Sequence, residues 1–124
     1  MRDKQLRIIK DYKFTIISVI LIFIGIIMPA SDVPSVGIPN IDKVVHAGMF
    51  GFLSLCYYGE YYHKHKKLPR FKKAFPNIFS YAALTELIQL SVPGRACDLI
   101  DLLADTIGML IVIGIAHKLA DKNN

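Results

Sequence analysis

Four stretches of the chain are apolar over nearly their whole length, and polar clusters separate them. They cover residues 14–28, 44–62, 74–92 and 98–116. A helix of about 20 apolar residues crosses the hydrocarbon core of a bilayer. The pattern therefore predicts an all-α integral membrane protein with four transmembrane helices. Pro29, Pro34 and Pro39, with Gly37 among them, block regular helix after the first stretch and predict an ordered loop. Pro93-Gly94 predicts a tight turn between the third and fourth stretches, and Pro76 falls in the first turn of the third, where proline is tolerated. The division that follows is a basic head over 1–13, a four-helix membrane domain over 14–116 and a polar tail over 117–124. The basic head before an apolar core also fits a signal peptide, but Met28-Pro29-Ala30-Ser31 makes only a weak cleavage pattern, so the first stretch reads as a span.

Charge fixes the orientation. The head carries five Lys or Arg residues, the segment 63–73 six and the tail two, thirteen in all. Only Lys43 and Arg95 fall on the opposite side. Positive charge collects in the cytoplasm, so both termini and the basic loop face inward and the proline loop and Pro93-Gly94-Arg95 face outward. The net charge of +5 is thus parked at the ends of apolar segments, which points to anionic lipid heads and away from nucleic acid. The expected location is the bacterial cytoplasmic (inner) membrane, crossed several times. In the head, Leu6, Ile8, Ile9 and Tyr12 are placed to lie on the membrane surface. With 124 residues, 53% of them apolar, four spans leave no length for a separate soluble catalytic domain. Cys56 in a span and Cys97 in a loop are expected at different depths and unpaired.

Acids inside the apolar stretches carry the chemistry. Each ionisable group in hydrocarbon costs roughly 2.5–3.5 kcal/mol, so such groups face a partner, a water-filled cavity or a site. The run is Glu86, Gln89, Pro93-Gly94-Arg95, Asp98, Asp101 and Asp105. At 1.5 Å per helical residue, Gln89 and Glu86 lie roughly 6 and 10 Å below Pro93, and Asp101 and Asp105 roughly 4 and 10 Å below Asp98. His46 lies roughly 6 Å below Asp42 on the second stretch. Each set recurs at helical spacing on one face, so three spans offer polar stripes at matching depth in the outer half of the bilayer. Lys43 and Arg95 stand at the mouth. The candidate ligand-binding residues are Lys43, His46, Glu86, Gln89, Arg95, Asp101 and Asp105. His46 and Glu86 are the candidates for proton transfer. Each has a plainer role: Arg95 pairing with Asp98 or Asp101, Gln89 bridging helices, Asp42 and Asp98 capping helix starts, and Glu60 pairing with nearby lysines. His46, Glu86, Asp101 and Asp105 could form an oxygen-rich divalent site, but without a tight ligand motif such as His-x-x-x-His no metal or other cofactor is expected. Ser91 has no Ser-His-Asp spacing around it, so no nucleophile stands out.

These residues also resemble a family. Asp42-Lys43-x-x-His46 with aromatic Phe50, then Glu86-x-x-Gln89, Pro93-Gly94-Arg95 and Asp101-Leu-Leu-Ala-Asp105-Thr-Ile-Gly108, with Gly114 beyond, are similar to the signature of the VanZ-like bacterial membrane proteins. The resemblance covers roughly residues 10–116. Many members carry Asn where this chain has Asp105. The family takes its name from a protein linked to low-level teicoplanin resistance, so the resemblance implies an envelope-related role. The expected function is an outward-facing polar pocket that engages an anionic lipid-linked precursor or phospholipid head. The alternatives are a small structural or partner-binding subunit whose acids only hold the bundle together, and a membrane-embedded hydrolase or transferase. Alternating-access transport is disfavoured, because four short spans leave no room for it without oligomers.

Overall fold

The computed structural model describes residues 2–28, 41–94 and 97–122. Among them are five helices and no strand: α1 (Arg2–Asp11), α2 (Lys13–Ile27), α3 (Ile41–His65), α4 (Phe71–Gln89) and α5 (Leu99–Lys122). The all-α expectation holds, and every expected apolar stretch maps to a helix. Among the described residues, α5 alone is both long and apolar enough to cross a membrane. The 15-residue α2 is apolar but shorter, and α3 and α4 carry more polar positions.

The element ends differ from expectation for local reasons. The head forms α1, with Asp3 in its first turn and Lys10 in its last, each favourable to the helix dipole, and no buried residue. Tyr12 (φ −118°, ψ 31°) separates α1 from α2. Tyr12 offers no side-chain cap. Glu60 of α3 does so instead: its carboxylate accepts from the Phe14 and Thr15 amides (3.0 and 2.7 Å) and from the Thr15 hydroxyl (2.6 Å). The expected pairing of Glu60 with lysines is thus replaced by a long-range helix cap. Helix α3 runs through His65, beyond the expected Tyr62, and ends where Lys66 takes a left-handed φ of 59°. Helix α4 starts three residues before the expected Ala74, which moves Pro76 from the first turn to the sixth helical position and removes one intrahelical bond there. It also ends early. Leu90, Ser91 and Val92 donate to carbonyls three residues back, tightening the chain into the turn that Gly94 (φ 74°) completes. Helix α5 continues past Ala116 to Lys122, so the expected tail is mostly helical.

Helix α3 packs most extensively on α5, and next on α2. Two glycines set the α3–α5 distance. A methyl group at Gly108 would stand 2.0 Å from the Ala47 carbonyl oxygen, and one at Gly51 would stand 3.3 Å from the Gly108 oxygen. A methyl group at Gly48, Gly59 or Gly114 would meet nothing within 4 Å. Around the contact lie Phe50, Tyr58, Met109 and Ile113, joined by Ile22 and Ile26 from α2 and by Ala74 and Ala82 from α4. Tyr58 points into this core, while its neighbours Tyr57 and Tyr61 form an aromatic cluster with Tyr12 and His65. The outward faces of α2 and α5 are lined with exposed Ile, Leu and Phe.

Candidate functional site

The start of α3, the end of α4 and the start of α5 meet at one end of the molecule. The basic residues of α1, the 66–70 connection and the end of α5 lie at the other, where Lys64 pairs with Asp11 at 3.1 Å. Helical spacing puts His46 one turn below Asp42 on α3, Glu86 one turn below Gln89 on α4, and Asp101 and Asp105 one turn apart on α5. All of His46, Glu86, Gln89, Asp101 and Asp105 are buried.

His46 is the hub. Its Nδ1 lies 3.0 Å from Asp105 Oδ1 and 3.8 Å from Glu86 Oε1, and its Nε2 lies 3.7 Å from Asp101 Oδ2. Imidazole thus faces three carboxylates from two other helices. Glu86 also closes the turn between its own helix and the next, because Oε2 accepts from the Asp98 amide at 3.1 Å. Its other oxygen, Oε1, has no hydrogen-bond partner, and neither has Asp105 Oδ2. Asp98 caps α5 as expected, accepting from the Ile100 amide at 2.8 Å.

Lys43 forms the rim. Its ammonium donates to Asp42 at 2.9 Å, Asp98 at 2.8 Å and Asp101 at 2.5 Å. Lys43 and Asp42 precede the apolar stretch that begins at Val44. There the Asp101 and Asp98 hydrogen bonds push the lysine well above its ordinary value, and the Lys43 bond holds the Asp42 carboxyl below its own. Lys43 is therefore a counter-ion of both Asp98 and Asp101. Arg95 itself lies outside the described residues, so its pairing with Asp98 or Asp101 does too. Asp101 divides its oxygens, Oδ1 to Lys43 and Oδ2 toward His46.

Gln89 stands a turn above Glu86 and reaches a helix that sequence reasoning left out of the site: its Nε2 lies 3.5 Å from the Ile26 carbonyl oxygen of α2. That bridging matches its plainer expected role. Ser91 is exposed in the turn after α4. Cys56 and Cys97 are both free thiols, as expected. The structure thus brings together Lys43, His46, Glu86, Asp101 and Asp105, with Gln89 at the α2 side. The signal for Lys43 as a clamp was its position one residue after Asp42 and one turn before His46, which puts it level with the first turn of α5.

Chemically, the arrangement can orient an imidazole, hold a proton between His46 and a carboxylate, or gather oxygen ligands around a cation. Comparison with curated proteins and with solved structures gives no match. Comparison with family models gives one, described as VanZ/LLP1, which matches residues 4–120. That range spans nearly the whole chain and contains every residue of the cluster, so the chain belongs to the VanZ-like family.

Proposed function

We propose that this chain is a multi-pass protein of the bacterial cytoplasmic membrane whose outward-facing polar site engages the phosphate-bearing head of an envelope lipid. The observation that carries the reading is the convergence of buried polar groups from three helices at the end opposite the basic residues. In this reading α2, α3, α4 and α5 each cross the bilayer, with both termini inside. The apolar outer faces of α2 and α5 support it, because water-exposed apolar surface of this extent is rare on soluble monomers. The segregation of charge supports the orientation. Arg95 is the guanidinium that meets the phosphate, whose oxygens its forked donors suit. Lys43 turns from its carboxylates toward the same anion, and His46 and Glu86 supply hydrogen bonds or a proton. An envelope lipid as ligand would account for the glycopeptide-resistance link of the family.

The test is a thermal-shift titration of purified protein with a short-chain isoprenyl phosphate, the matching isoprenyl alcohol, and phosphatidylglycerol. The phosphate raises the melting temperature and the alcohol does not, while Arg95→Ala loses the shift at unchanged folding. Stabilisation by phosphatidylglycerol alone would assign the site to phospholipid heads. Equal shifts with phosphate and alcohol would end the reading.

A second reading has its own support. Lys43 ties α3 to α5, and Glu86 ties α4 to the start of α5. These bonds suit a small structural subunit in which the acids only hold the bundle. That reading predicts that neutralising variants lose folded protein along with any phenotype.

A further inference from the structure

We propose that His46, Glu86 and Asp101 bind one divalent transition-metal ion of the zinc–manganese class, with Asp105 orienting His46 through its other ring nitrogen. One ligand atom from each of the three residues lies within 4.8 Å of the other two, and all three residues are buried. Two ligands bonded at about 2.05 Å to a tetrahedral ion stand about 3.4 Å apart. His46 Nε2 and Asp101 Oδ2 are already 3.7 Å apart, so a shift of a few tenths of an ångström closes that pair on an ion. Glu86 supplies the third side: its ligand atom lies within 4.8 Å of those of His46 and Asp101, with Oε1 3.8 Å from the Nδ1 edge of the ring, so Glu86 closes on the ion by a larger shift than Asp101 does.

A second observation points to a ligand. Glu86 is 2% exposed, yet Oε1 has no hydrogen-bond partner. The carboxylate is not free to turn away, because its other oxygen accepts from the Asp98 amide. A buried oxygen held in place and left unpaired carries a desolvation cost that a cation removes. The imidazole is set up in the same sense. Asp105, with no exposed surface, stands 3.0 Å from Nδ1 and fixes the proton there, leaving the Nε2 lone pair toward Asp101. A carboxylate holding the far nitrogen of a metal-bound histidine is a recurrent support in metal sites. Asp101 meets Lys43 through Oδ1, so Oδ2 remains available.

One nitrogen with two carboxylates suits zinc or manganese better than the all-oxygen shells of calcium and magnesium. Two carboxylates also balance a divalent charge. Three protein ligands leave a coordination position open, as in metal sites that meet a substrate. The metal site does not rest on the envelope-lipid reading. Where both hold, the open position is the one a phosphate oxygen occupies, which explains how so acidic a cluster accepts an anion.

The test is isothermal titration of the full chain, purified in detergent without a polyhistidine tag and stripped with chelator, using ZnCl2 and MnCl2. Elemental analysis gives the stoichiometry and circular dichroism checks the fold. One equivalent binds to the parent, and Glu86→Gln and Asp101→Asn each abolish binding. Asp105→Asn weakens it about 10–100-fold, as loss of a supporting carboxylate does elsewhere. His63→Ala/His65→Ala leaves it unchanged. Should the acid variants fail to fold, Co2+ added to the stripped parent decides alone, since a four-coordinate site gives intense visible bands. A folded parent that binds no ion and gives no bands would overturn the proposal, as would binding that survives both acid variants or that vanishes with His63 and His65. Metal bound without any lipid shift refutes the lipid reading alone, and a lipid shift without metal refutes this one alone.

Discussion

Replacing Gly108 by alanine tests how the α3–α5 contact builds the site. The added methyl group would lie 2.0 Å from the Ala47 carbonyl oxygen, 2.7 Å from its carbon and 2.9 Å from Ala47 Cα. All three are backbone atoms of a helix, so no side chain can swing aside. To open that contact even to 3.3 Å, still a tight approach for a methyl group, the helices must part by about 1.3 Å. Overpacking costs typically 1–3 kcal/mol, and with backbone on both sides the upper end applies. Alanine returns about 1 kcal/mol of helix propensity, leaving a net loss of about 2 kcal/mol. In a chain of this size that lowers the melting temperature by about 5–10 °C. The same retreat stretches His46 from Asp105 beyond hydrogen-bond range, so the site fails with the contact. The assay is a circular dichroism melt in detergent beside Gly114→Ala and Gly48→Ala, where a methyl meets nothing and stability holds or rises. If Gly108→Ala melts with Gly114→Ala, the reasoning about close approach is wrong.

Other perturbations have equally definite outcomes. Lys43→Met leaves Asp101 without its cation, and the expected loss is about 2–3 kcal/mol, less than for a wholly buried pair because Lys43 is partly exposed. The benefit of the raised lysine is present below its ordinary value near 10.4 and is lost as pH rises through the folded value. The benefit to the depressed Asp42 is present above its ordinary value of 3.8 and is lost as pH falls through the folded one. Melts of parent and Lys43→Met across pH should therefore differ most through the neutral range and converge in acid, and a gap that persists in acid would refute the pairing. Glu60→Ala removes the three bonds that cap α2 and costs about 1–2 kcal/mol in the same melts, with Glu60→Gln costing about half. Cys97, exposed beside the site, should react in intact cells with a membrane-impermeant maleimide, whereas labelling only after lysis would invert the orientation.

The apolar stretches made the helices legible, and the i, i+3 and i, i+4 spacing of the polar residues placed the cluster on the right faces. What the sequence withheld was pairing across distance. The Glu60 cap joins residues 45 or more apart, and nothing in a residue's neighbours marks it as a cap for another helix. Lys43 was visible as a charge at the mouth and a candidate ligand-binding residue, but not as a clamp between α3 and α5. Its hold on Asp98 and Asp101 depends on the α3–α5 approach, which Gly108 and Gly51 set and which Gly48, Gly59 and Gly114 do not, although all five look alike in sequence. Helix ends moved where capping and turn bonds outweigh hydropathy: α5 continues through polar residues to Lys122, and α4 stops short of Val92.

The central claim is that the cluster is a functional site and not merely glue. It is tested most directly by teicoplanin susceptibility of a host expressing the chain, beside Glu86→Gln and Arg95→Ala variants matched for membrane level by blot and for folding by melting temperature. The account predicts that the parent protects and that both folded variants do not. Protection that survives both substitutions, or a parent that gives none, would contradict it.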